Sequence, residues 1–309
     1  MRLFLLGRRA NVTHWLEEAA KAFRSEGHEV RVGIVRDPRL HPGLQRALAA
    51  PIAAGIAARV RRFAPDLVLA IGGFHVPAPV LERIAALPAR PPLIGWVGDI
   101  FDEDAATLAN RYDLVAYTDT GLAQRHGALG FAGETVFAPH AVDPHVEAPT
   151  AERAPRMVFV AVPTPGRRAV VGAVTSPLAL YGQGWTGAGG HEVHAGRLPA
   201  RRLTGVYARH LASLNIRNEL NVLTGLNQRN FQPYLAATPL VTDDQPDLPL
   251  CFEPGREALV WRDVDELNDV YARLLKSPDA AAAIGAAGRR RVLADHTYGQ
   301  RLAALARLI

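Results

Sequence analysis

Residues 214–244 read LNIRNELNVLTGLNQRNFQPYLAATPLVTDD, and this stretch indicates the fold. A short apolar run, Ala212–Ile216, leads into polar residues, and Gly225 is predicted to open a helix that carries Asn227 and Arg229 in its first turn. A second apolar run then ends in two aspartates. Unpaired N–H groups and the positive end of the helix dipole meet at such a helix start, which suits a diphosphate. The alternative is an ordinary loop–helix junction, which recurs throughout α/β folds.

The composition is that of a globular protein. A length of 309 residues suits one large or two medium domains, and 49% hydrophobic with 21% charged residues excludes a disordered chain. No apolar run reaches the roughly 18 residues that cross a bilayer, and Met1–Gly7 is too short for the apolar region of a signal peptide. Cys251 is the only cysteine, so no intrachain disulfide can form and we expect a cytoplasmic protein.

The chain is basic, with a formal net charge of +5. Lys21 and Lys276 are the only lysines, so 35 − 2 = 33 basic residues are arginine. The arginines are spread along the chain and do not alternate with aromatic residues, so we expect no nucleic-acid partner. Anionic small molecules, or a peripheral contact with a membrane surface, are the partners that this charge favours.

Two series of alternating strands and helices divide the chain. In residues 1–147 continuous apolar strands are separated by helices, which is typical of a parallel sheet buried on both faces. A proline-rich linker follows, and the pattern restarts in residues 156–309, which end in helices. The predicted fold class is therefore α/β, with two Rossmann-like, doubly wound parallel-sheet domains facing a cleft and helices at the C-terminus.

Eight segments resemble the C-terminal domain of group 1 glycosyltransferases of GT-B architecture, in particular the CgeB-like, spore-maturation branch. They are FVAVPTPGRR (159–168), YGQGW (181–185), HAGRLPARRLTGVY (194–207), LNIRNE (214–219), GLNQRNFQ (225–232), LVTDD (240–244), FEPGREALVWRDVDEL (252–267) and RRRVLADHTYGQRL (289–302). Their order and spacing hold over about 150 residues. The first half resembles the family in architecture, with WVGDIFD (96–102) and FAPHAVDP (137–144) as its best matches.

This resemblance implies a hexosyltransferase-type enzyme that uses a nucleotide-diphosphate sugar, such as a UDP sugar, as co-substrate. It implies no further cofactor, no bound metal and retention at the anomeric carbon, with the hydroxyl of a glycan, a metabolite or a protein as acceptor. The leaving diphosphate needs cationic or N–H partners already in place. The residues expected to bind the nucleotide sugar are Arg167, Arg168, Tyr181, Gly182, Gly184, Trp185, Gly196, Arg197, Leu198, Asn215, Arg217, Gly225, Leu226, Asn227, Arg229 and Gln232.

Some of these residues have specific expected roles. Arg229 and Arg167 or Arg168 offer the guanidinium fork that matches phosphate oxygens, although each could instead be a solvated side chain. Gly182 and Gly184 permit close backbone approach. Trp185 could wall the sugar or the base, or could be a core residue. By resemblance, the Gly196–Leu198 backbone meets the edge of the base.

The chain departs from the family at two acidic positions. Gln232 replaces a glutamate that many relatives place on the ribose, and Thr224 stands where the wider group has an acid. Gln232 can still bond a diol, but through weaker neutral hydrogen bonds, and Glu219 is a candidate replacement. The missing acids support one alternative, a two-lobed nucleotide- or sugar-binding protein without catalysis. A nucleotide-sugar epimerase, which shares the two-lobed build, is the other alternative, but it would need a dense set of acids and a base in the cleft, and this sequence shows few.

In the first half, polar residues follow the predicted strands at Arg8–Asn11, at Gly72–His75 and at Asp99. Asp99 could orient an acceptor hydroxyl, or take its proton if the stereochemistry inverts, or merely cap a helix. His75 and His140 could bind acceptor or donor oxygens, with His140 at the boundary between the domains, although a lone histidine is more often structural. No compact set of histidines and carboxylates is present, so we predict no metal site.

Overall fold

A computed structural model describes residues 1–8, 15–36, 41–130, 133–186 and 189–309 of the chain. These residues form two compact units, Met1–Pro139 with Tyr298–Ile309, and His140–Thr297. Each unit contains a six-stranded parallel sheet. Of the predicted loop Arg8–Asn11, all but Arg8 lies outside the described residues. Among the residues that are described, no helix combines the length and apolarity needed to cross a membrane.

The sheet of the first unit has the strand order β2-β1-β3-β4-β5-β6. Its strands are β1 (Arg2–Arg8), β2 (Glu29–Arg36), β3 (Leu67–Ile71), β4 (Leu93–Val97), β5 (Leu114–Tyr117) and β6 (Thr135–Phe137). Each of β1, β3 and β4 buries five consecutive residues, because helices cover both faces of the sheet.

Seven helices belong to the first unit in the described part of the chain. They are α1 (Trp15–Ser25), α2 (Pro42–Ala47), α3 (Ala49–Phe63), α4 (Ala78–Ala85), α5 (Glu103–Ala106), α6 (Thr120–Ala128) and the last helix of the chain, α12 (Tyr298–Ala306). The sequence predicts one helix over residues 43–63, whereas the structure has α2 and α3. Pro51 in the first turn of α3 explains the break, because proline cannot donate a hydrogen bond to the preceding turn.

The final helix returns to the first unit. Tyr298 is fully buried, with its ring 5.9 Å from that of Phe23 and 6.2 Å from that of Trp96. The predicted domains, residues 1–147 and 156–309, therefore need a correction. Because local sequence patterns do not reveal which core a terminal helix covers, residues 298–309 were assigned to the second domain.

The sheet of the second unit has the order β12-β11-β10-β7-β8-β9. Its strands are β7 (Ala154–Val160), β8 (Ala179–Tyr181), β9 (Glu192–His194), β10 (His210–Asn215), β11 (Leu240–Asp243) and β12 (Ala258–Trp261), and its helices are α7 (Pro165–Ala173), α8 (Ala200–Ala208), α9 (Leu248–Cys251), α10 (Val264–Lys276) and α11 (Pro278–Asp295). The spacing of Asp263 and Glu266 predicts a capping box at the start of α10. Asp263 does cap α10, by accepting a hydrogen bond from the N–H of Glu266 at 2.8 Å.

The helix predicted to start at Gly225 does not form. Two short 3₁₀ turns, Gln228–Asn230 and Gln232–Ala236, occupy this stretch. Pro233 supplies one reason, because it lacks the N–H that a continuous helix needs and disfavours helical geometry at the residue before it. Gly288 on α11 allows the second turn to pack closely: a Cβ atom there would lie 2.0 Å from the ring of Tyr234.

Candidate functional site

The carboxyl ends of β7, β10 and β11 bring several predicted site residues together. These three strands are neighbours in the sheet of the second unit, so the loops that follow them meet at one edge. Ligands of open α/β sheets bind at this edge. Arg167 enters from the first turn of α7, Asn215 and Arg217 follow β10, and Arg229 lies in the 3₁₀ turn.

Arg167 is only 1% exposed and joins two of these loops. Its Nε and Nη2 donate to the carbonyl of Ile216 at 3.2 and 3.0 Å, and its Nη1 donates to the carbonyl of Val162 at 3.1 Å. Burial, together with the nearby charge of Arg229, lowers the pKa of Arg167 to about 10, while Glu219 and Asp243 oppose this shift. Arg167 is thus a buried cation with a second cation beside it.

Arg229 lacks a comparable set of partners. Its Nε is buried without a hydrogen-bond partner, and burial lowers its pKa. Within the described residues, no carboxylate forms an ion pair with its guanidinium. Two neighbouring guanidinium groups, one of them unpaired, destabilise each other unless an anion binds between or beside them. The arrangement suits a phosphate or diphosphate group.

A buried polar network holds the loop that carries Arg229. Asn215 at the end of β10 donates to Thr242 Oγ1 at 3.1 Å and accepts from Asn227 Nδ2 at 3.2 Å. Asn227 in turn accepts the N–H of Arg229 at 2.9 Å, and Asn230 donates to Thr242 at 3.3 Å. Asn215 and Asn227 are predicted site residues, but these contacts give them a positioning role.

Asp243 anchors the same network from the end of β11. It accepts two hydrogen bonds from the N–H of Arg217, at 3.1 and 3.2 Å, and one from Gln245 Nε2 at 2.9 Å. Burial raises its pKa, and these hydrogen bonds oppose that rise. Asp243 and Gln245 are not among the predicted site residues, although the polar run that begins at the end of a buried strand is a signal that could have indicated them. The guanidinium of Arg217 donates to the carbonyl of Leu223 at 3.0 Å.

The backbone after Gly225 is not the anion site that was expected. Gly225 and Leu226 are buried, the N–H of Asn227 donates to Asn230 Oδ1 at 3.1 Å, and the N–H of Arg229 is used by Asn227. A 3₁₀ turn of three residues also provides little of the dipole of a full helix. Side-chain cations therefore replace the predicted helix start as the feature that would hold an anion.

The glycine-rich loop after β8 packs against its own sheet. Gly182 has φ 149°, and a Cβ atom there would lie 2.2 Å from the carbonyl oxygen of Ala161. Trp185 is 2% exposed, donates from Nε1 to the same carbonyl at 2.7 Å and packs on Phe159. Trp185 is therefore a core residue, and the prediction that it walls a sugar or base is corrected, because a fully covered indole has no face left for a ligand.

Arg168 lies over Trp185, with its guanidinium carbon 5.6 Å from the centroid of the indole. It donates to the carbonyls of Gly184 and Thr186, so it braces the loop. Tyr181 stacks on His194, with ring centroids 4.0 Å apart and planes 10° apart, and burial raises the pKa of Tyr181.

The remaining predicted site residues of the second unit lie in loops, in a 3₁₀ turn, or, for His140, at the first residue of the unit. Gly196 and Arg197 are exposed in the loop after β9, whereas Leu198 packs in part against the cluster around α8. Gln232 begins the second 3₁₀ turn and is half-buried. His140 is 8% exposed and lies in the second unit, and its assignment to a domain boundary stays a prediction.

Two acidic side chains, Asp247 and Glu219, are candidates to replace the acids that the resemblance leads us to expect. Thr224 donates from Oγ1 to Asp247 Oδ2 at 3.1 Å, which puts a buried carboxylate beside a position where the resemblance implies an acid. Glu219 lies against the first turn of α7, with Oε1 3.3 Å from where a Cβ atom on Gly166 would be. Glu219 also raises the pKa of Arg167, so it belongs to the arginine site.

The first unit brings its own predicted residues together. His75 Nε2 lies 3.3 Å from Asp99 Oδ2, and Arg8 Nη2 lies 3.7 Å from the same oxygen. His75 follows β3, Asp99 follows β4, and Arg8 is the last residue of β1. These three strands are neighbours in the sheet. Their side chains are 32–41% exposed, so a ligand can reach them. A carboxylate held by an imidazole and a guanidinium can orient a hydroxyl group and accept its hydrogen bond.

Comparisons with known proteins define the class of fold. Residues 165–307 match a family model described as glycosyl transferase-like, which is just under half of the chain. The two parallel six-stranded sheets with their helices match those of GT-B glycosyltransferases, and this is the fold of the chain. No curated protein matches the sequence.

Three solved structures illustrate the similarity. HepE of Anabaena, in complex with UDP, has a TM-score of 0.70 at 15% identity over 100% of this chain and 99% of its own. Sucrose-phosphate synthase of Thermosynechococcus elongatus has a TM-score of 0.68 at 14% identity, over 100% and 98%. AviGT4, a glycosyltransferase involved in avilamycin A biosynthesis, has a TM-score of 0.67 at 15% identity, over 99% and 97%.

Proposed function

We propose that the protein is a hexosyltransferase-type glycosyltransferase that moves a sugar from a nucleotide-diphosphate sugar to an acceptor hydroxyl. The observation that carries this proposal is the neighbouring pair Arg167 and Arg229 at the carboxyl edge of the second sheet, inside the region that matches the family model. A diphosphate would offset the positive charge that Arg229 places beside Arg167 and would give the guanidinium of Arg229 an anionic partner, which it lacks among the described residues. HepE, which shares the fold, has been solved with UDP-glucose, which supports a UDP sugar as the donor.

Arg167 and Arg229 would act mainly on the leaving group. Negative charge develops on the diphosphate as the glycosidic bond breaks, and cations fixed in advance stabilise that charge without reorganisation. Glu219, which lies beside Arg167, is the carboxylate that we propose contacts the donor in place of the missing acids. Gln232 would bond the ribose hydroxyls through its neutral amide.

Asp99 and His75 would position the acceptor. We propose retention at the anomeric carbon, in which a phosphate oxygen of the departing diphosphate takes the acceptor proton. Asp99 then needs only to accept a hydrogen bond from the acceptor hydroxyl and orient it, with His75 and Arg8 holding the carboxylate. NMR of the anomeric coupling in donor and product tests this part, and an inverted product would contradict it.

The chemistry proposed here uses no metal ion. The arginine pair supplies the positive charge that a divalent cation would otherwise provide, and the described residues include no group of three or more His, Cys, Asp or Glu side chains placed to hold a metal. Transfer should therefore persist in excess EDTA. We further propose that the protein belongs to the CgeB-like branch, because of the sequence segments quoted above. We also propose a cytoplasmic location, because the chain has a single cysteine.

A donor assay tests the proposal. The purified protein is incubated with UDP, GDP and TDP sugars, and both its melting temperature and the release of free nucleotide are measured. A true donor should raise the melting temperature by preferential binding to the folded state and should be hydrolysed or transferred. A rise in melting temperature without turnover on any acceptor would favour the non-catalytic binding protein, for which the residues Thr224 and Gln232 argue. Conversion of the donor to an isomer would favour an epimerase.

A further inference from the structure

Helices α2 and α3 of the first unit belong to a basic segment without acidic residues. Between Asp37 and Asp66 the sequence contains no aspartate or glutamate but five arginines: Arg39, Arg46, Arg59, Arg61 and Arg62. Nothing in the proposed transfer reaction uses this segment. Its charge therefore calls for a separate explanation.

The basic patch formed by the end of α3 and the adjoining strands carries most of this charge. Arg61 and Arg62 are exposed at the end of α3, and Arg59 donates to the carbonyl of Val32 at 2.7 Å. The open edge of β2 adds Arg31, whose guanidinium carbon lies 5.7 Å from the ring centroid of Phe63.

Two further arginines extend this basic patch. Arg2 lies over the ring of Phe63 at 4.6 Å, and Arg24 donates to the carbonyl of Val30 at 3.1 Å. The adjoining acidic side chains are Glu29, which forms an ion pair with Arg2 at 3.3 Å, and Asp66, which accepts the N–H of Arg2 at 2.7 Å. Six arginines and two acids give a clear excess of positive charge around the edge strand β2 and the end of α3.

The other end of the same face is apolar. Leu44 on α2 is 47% exposed, and Pro51, Ala54 and Ala58 on α3 are exposed as well. An exposed face that combines arginines with apolar side chains and lacks acids is typical of helices that lie on a membrane surface. A single-strand nucleic-acid surface would instead offer aromatic side chains for base stacking, and α2 and α3 expose none.

The topology gives the orientation of this face. Because β2 and β3 are parallel, the crossover between them starts at the carboxyl edge of the sheet and returns to the amino edge. Helix α2 therefore follows the carboxyl edge, where Arg8, His75 and Asp99 lie, and α3 ends at the amino edge. The face runs alongside the sheet for its whole height.

We propose that the α2–α3 face, together with the basic patch, binds the surface of an anionic membrane as a peripheral contact. Opposite charges draw the arginines to the lipid headgroups, and Leu44 enters the interface between headgroups and acyl chains. This binding needs no nucleotide sugar, so it can be tested independently of transferase activity.

Vesicle flotation without any nucleotide sugar tests the proposal. The protein is mixed with vesicles of phosphatidylcholine alone, or of phosphatidylcholine with phosphatidylglycerol, at low and high salt. We expect binding to the anionic vesicles only, and weaker binding at high salt, because salt screens exposed charges. Each arginine at an anionic surface contributes about fivefold, so the double variant Arg61→Glu/Arg62→Glu should bind at least about 25-fold more weakly.

The matched control is Arg201→Glu/Arg202→Glu, which changes the net charge equally at two exposed positions of the second unit. It should keep most of the vesicle binding, and the melting temperature of both variants in the presence of UDP should match the wild type. An equal loss of vesicle binding in both double variants would mean that binding depends only on net charge, which would overturn the proposal. A wild-type protein that does not bind anionic vesicles would also overturn it. Binding to duplex DNA at physiological salt that exceeds vesicle binding would assign the face to nucleic acid instead.

Discussion

Arg167 and Arg229 differ in how they are held, although both are arginines at the same sheet edge. Arg167 donates three hydrogen bonds from its side chain to backbone carbonyls and therefore helps to fix the loops after β7 and β10. Arg229 has a buried Nε without a partner. A residue that is costly to bury and is left unsatisfied points to function, because structural arginines are normally paired. We therefore propose that Arg229 contributes more to the binding of the proposed diphosphate than Arg167 does.

Asp99 provides the first test at the level of a single residue. Asp99→Asn keeps the size of the side chain but removes the charge that we propose orients the acceptor, so the transfer rate should fall about 100-fold. The affinity for UDP should not change, because Asp99 belongs to the first unit and the arginine pair to the second. Steady-state kinetics and calorimetry measure the two quantities. The control is Asp104→Asn at an exposed position, and equal activity of both variants would contradict the assignment.

Local elements were predicted well where hydrophobic periodicity determines them. The buried strands and the cap of α10 are confirmed, because five consecutive buried residues or an N-terminal aspartate leave a local signal. The prediction of a helix after Gly225 was wrong, because side-chain caps and Pro233 favour 3₁₀ turns over a helix there. The sequence predicts Arg167, Arg229, His75 and Asp99, but not the polar network that holds the loop of Arg229, because hydrogen bonds across strands have no local pattern.

Gly182 tests how the loop after β8 is built. In Gly182→Ala, the added Cβ would meet the carbonyl of Ala161 in a backbone conformation that favours glycine, so the free energy of unfolding should fall by about 2 kcal/mol or more. Gly190→Ala is the matched control, because Gly190 also has positive φ but nothing within 4 Å of the added atom. Urea unfolding measures both. If the two variants lose the same stability, backbone strain alone and not the close approach explains the effect.

His210 predicts how stability depends on pH. It is buried at the start of β10, where Nδ1 lies 2.7 Å from the carbonyl of Val206. Burial lowers its pKa below 6.5, the hydrogen bond to the Val206 carbonyl opposes this shift, and the neighbouring Arg156, His194 and Arg209 add to it. The unfolded chain therefore binds a proton before the folded one does, so stability should decrease as the pH falls below about 6.5.

The variant His210→Gln checks this prediction by urea unfolding at several pH values. Its stability should fall less than that of the wild type on acidification, because the buried imidazole is gone. His145→Gln at an exposed position should keep the wild-type dependence. An unchanged slope in His210→Gln would assign the acid sensitivity to other groups.

At the scale of the whole molecule, the two units differ in how much of their organisation the sequence predicts. The α/β class and the GT-B architecture follow from the alternation of strands and helices and from the quoted motifs. The return of α12 to the first unit does not follow, because it depends on long-range packing of Tyr298 against Phe23 and Trp96. The order of elements along the chain therefore predicts two domains but does not show which of them the last helix joins.

Tyr298→Ala tests the role of the last helix. Removing a fully buried aromatic ring leaves a cavity, so the free energy of unfolding should fall by roughly 3 kcal/mol or more. Leu308→Ala, at a position that is 45% exposed, should change it by less than about 1 kcal/mol. Denaturant unfolding of both variants gives the values. Equal losses would mean that α12 contributes only general hydrophobic burial.

Calorimetric titration of UDP and of uridine tests the central claim, that Arg229 and Arg167 bind a diphosphate. UDP should bind much more tightly than uridine to the wild type, and Arg229→Gln should lower the UDP affinity by about 10- to 100-fold, the contribution of a hydrogen bond to a charged group. Arg290→Gln, at an exposed position on α11, should bind UDP like the wild type. Equal affinity for UDP and uridine, or an Arg229→Gln variant with undiminished UDP binding, would contradict the claim.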